Sequence, residues 1–386
     1  MSVNRSDLAN RITLVADYGC QGDTEHGKFL ATKPSQTQPH TLKCANHSHV
    51  HESVEQPGSE PASKPASAIG SGAGTTAAVN SSRTGTIGVL SLLARDIKLA
   101  HSVFALPFAL LGACVAYVLS SDTSQRDPAR LVGKLVLVVA CMIFARSWAM
   151  LFNRLADRHI DALNERTKKR VLASGTVSRW AGWSVAFLCA SAFVVVCALF
   201  KAFFDNPWPL YLSVPVLAWI AFYSLTKRFT ALCHVFLGGA LAASPLAAAI
   251  AIDPAALIHA PMVWWLAGFV LLWVAGFDII YALQDEAFDR ANGLKSVPVL
   301  LGWRRAIQAS RVLHVGAMLC LLAAWSSLER LGPIFGVGVG LAGALLLVEQ
   351  IVLARRGMRG LDMAFFTVNG VVSCVLGVLG ILDVFL

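Results

Sequence analysis

From about residue 100 onward the chain alternates long apolar stretches with short polar ones. The apolar stretches cover 100–119, 132–152, 180–200, 207–225, 230–251, 262–283, 312–328, 333–353 and 364–386. Each approaches the roughly 20 residues that a helix needs to cross the hydrocarbon core of a bilayer. The pattern predicts an all-α, polytopic membrane protein of about nine transmembrane helices over residues 87–386. Within these spans, the step Gly238-Gly239-Ala240 and the run from Gly336 to Gly343 read as packing faces. Small residues there let helices approach closely in lipid.

Residues 1–86 break the pattern. They are polar and rich in Ser, Thr, Pro, Gly and Ala, with no sustained apolar period. Such a segment cannot bury enough apolar surface to offset its ordering entropy, and a disordered tail is expected. No apolar core follows Met1, so the tail does not read as a secretory signal. His40, Cys44, His47, His49 and His51 lie close together in it. A metal-binding tract is one reading of that cluster, and a solvated polar tail is the preferred one.

Composition sharpens the class. Hydrophobic residues make up 56% of the chain and charged residues 14%, with a mean hydropathy of +0.61. A soluble domain carries roughly 25% charged residues to keep its surface wet, so a soluble enzyme is excluded. The net charge of +9 sits in short loops between spans, a pattern of membrane orientation rather than of a nucleic-acid face. With the N-terminus placed in the cytoplasm, inner segments hold 19 Lys and Arg, whereas outer segments hold only Arg126, Arg130, Lys134, Lys201 and Arg330. This bias predicts a multi-pass protein of the inner (cytoplasmic) membrane, with its N-terminus inside and its C-terminus outside. The nine cysteines include no CxxC pair, and the seven in or beside apolar runs read as small hydrophobes.

Acidic residues at the ends of membrane spans are costly and informative. Asn153, Asp157 and Asp161 close the second span, and on a helix the i, i+4, i+8 spacing puts them on one stripe. Asp278, Asp285 and Asp289 close the sixth span, and their offsets bring them within about 20° of one line on a helix. Both clusters fall on the predicted inner side. Two carboxylate stripes suit hard divalent cations, and Mg²⁺ in particular takes one or two carboxylates and leaves its other positions to water and phosphate oxygens. The plainer reading pairs these acids with the adjacent Arg158, Arg290 and Lys295. Cations accompany the acids: Arg146 about two turns deeper than Asn153, Arg166 and Arg170 after the first cluster, Lys227 and Arg228 at the end of the fourth span, and Lys295 after the second cluster. Arg and Lys both suit diphosphate oxygens. Arg146, Arg166, Arg170 and Lys227 read as ligand-binding, and Lys168, Lys169, Arg304 and Arg355 as interfacial anchors.

These residues resemble the signatures of the UbiA superfamily of intramembrane aromatic prenyltransferases. The first resemblance is Asn153-xxx-Asp157-xxx-Asp161 followed by Asn164, Arg166, Thr167, Arg170 and Gly175. The second is Tyr281-xxx-Asp285-xxx-Asp289 followed by Gly293, Lys295 and Ser296. Arg154 departs from the pattern, where many members carry an acid or Gln. The resemblance covers roughly residues 90–386 and implies nine helices around a central cavity open to lipid. It implies Mg²⁺-dependent transfer of a polyprenyl group from its diphosphate to an aromatic ring. By position, Asn153, Asp157 and Asp161 would bind one Mg²⁺–diphosphate unit, and Asp285 and Asp289 the other. These four aspartates would be the catalytic residues. Asp278 and Tyr281 would line the cavity, and Arg146, Arg166, Arg170, Tyr223, Lys227 and Lys295 would bind substrate. The runs Arg95–Phe108, Ala145–Ser147 and Ala364–Gly370 look like the quinone-pathway branch. That branch implies 4-hydroxybenzoate as acceptor, with a dihydroxynaphthoic acid of a menaquinone route as the alternative. A secondary transporter, the reading from another class, would place its acids at the midplane rather than near one face.

Overall fold

The computed structural model describes residues 86–97, 104–121, 127–357 and 367–386. The expected tail, with its His/Cys cluster, lies outside these residues apart from Thr86. The described residues form α-helices, short 3-10 and π turns and connecting loops, without a strand. The helices are α1 (Thr86–Ile97), α2 (Leu106–Leu119), α3 (Pro128–Ala156), α4 (Arg158–Leu163), α5 (Arg179–Phe204), α6 (Trp208–Thr226) and α7 (Cys233–Ile252). There follow α8 (Ala256–His259), α9 (Pro261–Ala282), α10 (Glu286–Ala291), α11 (Val297–Ser326), α12 (Pro333–Arg356) and α13 (Asn369–Phe385).

The fold is the expected all-helical membrane bundle. Seven helical segments are long and apolar enough to cross a membrane: α3, α5, α6, α7, α9 continued through α10, α11 and α12. The other two predicted spans correspond to α2, of 14 residues, and α13, of 17, both apolar but shorter. One boundary differs strongly. The stretch expected at 312–328 belongs to a helix that begins at Val297. Arg304, Arg305 and Arg311 make its first half read as a polar loop, yet Ser296 caps it through Val299 N–H and Pro298 sits in its first turn. These are start signals of a helix. A kink at Gly302, whose φ of 75° suits glycine, separates the apolar first turn, 297–301, from the stretch that carries Arg304, Arg305 and Arg311.

The core is built around α9. Thirteen of its 22 residues are buried, so neighbouring helices and not lipid surround it. Trp273 is fully buried between Phe108 of α2 and Phe269 and Phe277 of its own helix, and its indole N–H donates to Asn369 Oδ1 at 2.8 Å. α7 packs on one side of α9 and α11 on another. The small residues work as expected: an added Cβ at Gly238 would lie 2.3 Å from the Leu271 carbonyl oxygen, and one at Gly336 would lie 2.4 Å from Trp325. Large apolar side chains such as Phe187, Leu188 and Val195 on α5, and Val312 and Leu319 on α11, are exposed, as expected of positions that face lipid. The seven described cysteines are free thiols, but among them only Cys114 and Cys197 are buried, while Cys374 is exposed. Cys20 and Cys44 lie outside the described residues.

Candidate active site

The two acidic clusters do not lie on two straight helices. α3 ends at Ala156, and Asp157 takes a bridge-region backbone (φ −93°, ψ 8°) before α4 begins. α9 ends at Ala282, and a 3-10 turn, Leu283–Asp285, leads into α10. Each bend interrupts the single stripe that spacing predicted. A cation from elsewhere satisfies the first: Arg228 donates to the Ala156 carbonyl at 2.7 Å and to Asp157 Oδ1 at 3.0 Å.

Both clusters nevertheless line one cavity of about 260 Å³. Its lining holds Asn153, Asp157 and Asp161 from the first cluster and Asp278, Tyr281, Asp285 and Asp289 from the second. Arg166, Arg170, Tyr223, Lys227, Arg228 and His234 complete its polar wall, while Ile160, Leu237, Phe288 and Leu294 contribute apolar surface. Four acids each face a cation from another segment. Arg166 forks onto Asp285, with Nη2 at 2.5 Å from Oδ2 and Nε at 3.2 Å from Oδ1, and its Nη1 donates to the Tyr281 hydroxyl at 3.1 Å. Arg170 Nη1 reaches both oxygens of Asp161 at 2.8 Å. Lys227 Nζ lies 2.8 Å from Asp289, and Arg228 pairs with Asp157. The loop after α4 thus closes over the second cluster. Thr167, buried, donates to the Asp161 carbonyl at 3.0 Å, and Asn164 donates to Asp285 Oδ1 at 3.2 Å, which hold Arg166 and Arg170 inward.

The pairing expected from adjacency is absent among the described residues. Arg290 bonds Glu286, and Arg158 donates to the Leu172 carbonyl. Two expected substrate-binding residues fall outside the cavity lining. Lys295 is exposed and contributes a backbone bond to the Lys227 carbonyl at 2.8 Å. Arg146 is half-buried on α3, and its Nε has no hydrogen-bond partner among the described residues. It sits within electrostatic reach of Tyr223, which does line the cavity. Sequence reading missed Arg228 as a site residue and missed His234 altogether.

The site's charges perturb one another outside the spans. Burial raises the Asp157 carboxyl above the ordinary aspartate value, against the opposing pull of Arg228. For Lys227 burial disfavours the charge, but Asp289 more than offsets it, so its ammonium is held above the usual value. Arg166 is held up in the same way by Asp285.

The donor set fits Mg²⁺ held jointly with phosphate. All the anionic groups are carboxylates, the hard oxygen ligands that Mg²⁺ prefers. No three of the described acids, His or Cys gather into a cage of their own, and a Mg²⁺–diphosphate needs only one or two carboxylates from the protein.

A family profile matches residues 105–371, described as the UbiA prenyltransferase family. The chain belongs to that family. It is a multi-pass membrane prenyltransferase. Among curated relatives, the 4-hydroxybenzoate octaprenyltransferase of Nitrosomonas europaea is 33% identical over 226 residues, 58% of this chain and 71% of that protein. The enzyme of the same name from Alkalilimnicola ehrlichii is 32% identical over 61% of this chain and 77% of its own. The solved UbiA homologue of Aeropyrum pernix K1 superposes with a TM-score of 0.64 at 31% identity, over 75% of this chain and 99% of that one. A UbiA homologue from Archaeoglobus fulgidus, solved with GPP and Mg²⁺, shares the fold with a TM-score of 0.56 at 18% identity, over 76% of this chain and 100% of its own.

Proposed function

We propose that this prenyltransferase moves a polyprenyl group from its diphosphate to the ring of 4-hydroxybenzoate, in a Mg²⁺-dependent step of ubiquinone formation at the inner face of the cytoplasmic membrane. The observation that carries the reading is the convergence of both acidic clusters and four cations on one cavity. The names of the relatives, 4-hydroxybenzoate octaprenyltransferases, support this choice of acceptor.

On this reading, Asn153, Asp157 and Asp161 hold one Mg²⁺–diphosphate unit and Asp285 and Asp289 the other. Bound Mg²⁺ supplies positive charge beside the diphosphate as its carbon–oxygen bond weakens. Arg166, Arg170, Lys227 and Arg228 then donate to diphosphate oxygens, each already aimed into the cavity by its carboxylate partner. Tyr281 offers a hydroxyl beside Arg166. Ile160, Leu237 and Phe288 keep water from the allylic cation that forms. Asp278 and Tyr223 face the acceptor.

Arg146 holds the acceptor's carboxylate. Its Nε is buried in a membrane span with no hydrogen-bond partner among the described residues, which favours an anion beside it. Arg146→Ala is expected to raise KM for 4-hydroxybenzoate more than KM for the prenyl diphosphate, since it removes binding to one substrate. Steady-state kinetics on purified protein, varying each substrate in turn, checks this. An equal rise in both values would assign Arg146 to the diphosphate instead.

The orientation rests on the excess of Lys and Arg in the inner loops. Ala162 and Ala291 are both exposed and flank the two clusters. A cysteine placed at either, in a background without other accessible thiols, is expected to react only with reagents that reach the cytoplasm. Labelling from outside intact cells would reverse the orientation.

A further inference from the structure

Five carboxylates line the cavity, and four of them face an arginine or lysine. The fifth, Asp278, is held by a histidine. His234 opens α7 and is 2% exposed. Its Nε2 accepts the backbone N–H of Val297 at 3.2 Å. That N–H belongs to the first turn of α11, where donors have no partner within their own helix. A ring nitrogen that accepts carries no proton, so the ring proton sits on Nδ1. Nδ1 lies 2.7 Å from Asp278 Oδ2 and donates to it. The backbone of α11 therefore fixes the tautomer, and the tautomer fixes the carboxylate. Asp278 Oδ1 takes no hydrogen bond from the described residues, and the side chain lines the cavity at 23% exposure.

We propose that His234 is a positioning residue for prenyl transfer. It acts through Asp278, turning Oδ1 toward the acceptor so that it accepts a hydrogen bond from the acceptor's ring hydroxyl. The neutral ring orients this carboxylate without neutralising it, which the cation partners of the other four acids do not permit. This inference rests on the reading of the acceptor as a hydroxylated aromatic acid.

A histidine that merely ties α7 to α9 and α11 predicts something different, and two amide variants separate the cases. Asparagine places its amide nitrogen near the Nδ1 position, keeping the donor to Asp278 and losing the acceptor for Val297. Glutamine reaches the Nε2 position, keeping the acceptor and losing the donor. Purified full-length His234→Gln is expected to lose on the order of 10–100-fold in kcat, the usual effect of removing a group that orients a functional carboxylate or ligand. Its KM for the prenyl diphosphate should not change, because other residues hold that substrate. His234→Asn should recover most of kcat even where its melting temperature falls. A His234→Gln protein as active as the wild type would overturn the proposal. So would losses of activity in both variants that simply track their melting temperatures. Nitrogen-15 NMR of histidine-labelled protein in liposomes, with His234 assigned by its loss in the variants, reads the tautomer without any substrate. A proton on Nε2 rules out the relay. Failure of the acceptor reading shows elsewhere, as a wild-type enzyme that forms no prenylated aromatic acid.

Discussion

Asp285→Ala is expected to lower prenyl transfer by on the order of 10²–10³, the cost of removing one preorganised group that stabilises charge in a transition state. Asp285 is the centre of the site's connections. Arg166 forks onto it, Asn164 donates to it, and Tyr281 joins through Arg166. Alanine there removes a proposed Mg²⁺ ligand and frees the guanidinium from the geometry in which it meets the diphosphate. Asp157→Ala, Asp161→Ala and Asp289→Ala should behave alike, each releasing one cation. Lys168 is the control. It pairs with Glu165 in an exposed i, i+3 contact, with side chains 44% and 85% exposed, and such surface pairs contribute about 0–1 kcal/mol. Lys168→Ala should retain most activity. Initial rates at saturating Mg²⁺, with melting temperatures in detergent as the check on folding, decide the matter. Equal losses in the aspartate and lysine variants would show that the roles are misassigned.

Gly238→Val is expected to destabilise the bundle by about 1–3 kcal/mol, the range for overpacking a close contact. It should also take the activity with it. The new Cβ would meet the Leu271 carbonyl oxygen at 2.3 Å, and the atom it meets is backbone, so no rotamer change relieves the clash. α7 and α9 must separate. Gly238 stands one helical turn from His234, and Leu271 lies about two turns from Asp278 on α9. The same movement therefore pulls apart the 2.7 Å bond between His234 and Asp278. Unfolding in mixed detergent, monitored by circular dichroism, measures the first effect and turnover the second. A fully stable and active Gly238→Val protein would mean that the two helices are less tightly apposed than described.

Much of this architecture was legible in the residue pattern, for a physical reason. In lipid the backbone must satisfy its own hydrogen bonds, so long apolar runs become helices and their ends are marked by charge. Seven of the nine apolar runs fall in helices long and apolar enough to cross a membrane, the run at 312–328 as the second half of α11, and among the described residues the other two hold the shorter α2 and α13. The acids were visible because aspartate at a span end is expensive. What spacing could not supply was where the helices bend and what crosses between them. Treating Asn153 to Asp161 as one helix ignored the break at Asp157. The partners of the acids lie up to 121 residues away in sequence, as Asn164 and Asp285 do, and helical periodicity says nothing about contacts at that range. Adjacency favoured Arg158, Arg290 and Lys295, whereas folding chose Arg166, Arg170, Lys227 and Arg228. Arg228 read as one more inner-loop charge. His234 left one usable signal, a histidine in the first turn of the fifth span, on the side predicted for both acidic clusters.

On the proposed reading, this one cavity joins a prenyl diphosphate to a hydroxylated benzoic acid. Purified full-length protein in liposomes, given Mg²⁺, a polyprenyl diphosphate and equal amounts of 4-hydroxybenzoate and a dihydroxynaphthoic acid, tests it directly by mass spectrometry of the products. Prenylated 4-hydroxybenzoate is the expected product, formed only with Mg²⁺ and lost in Asp285→Ala. Prenylated naphthoate alone, or turnover undiminished when Mg²⁺ is chelated, would overturn that reading.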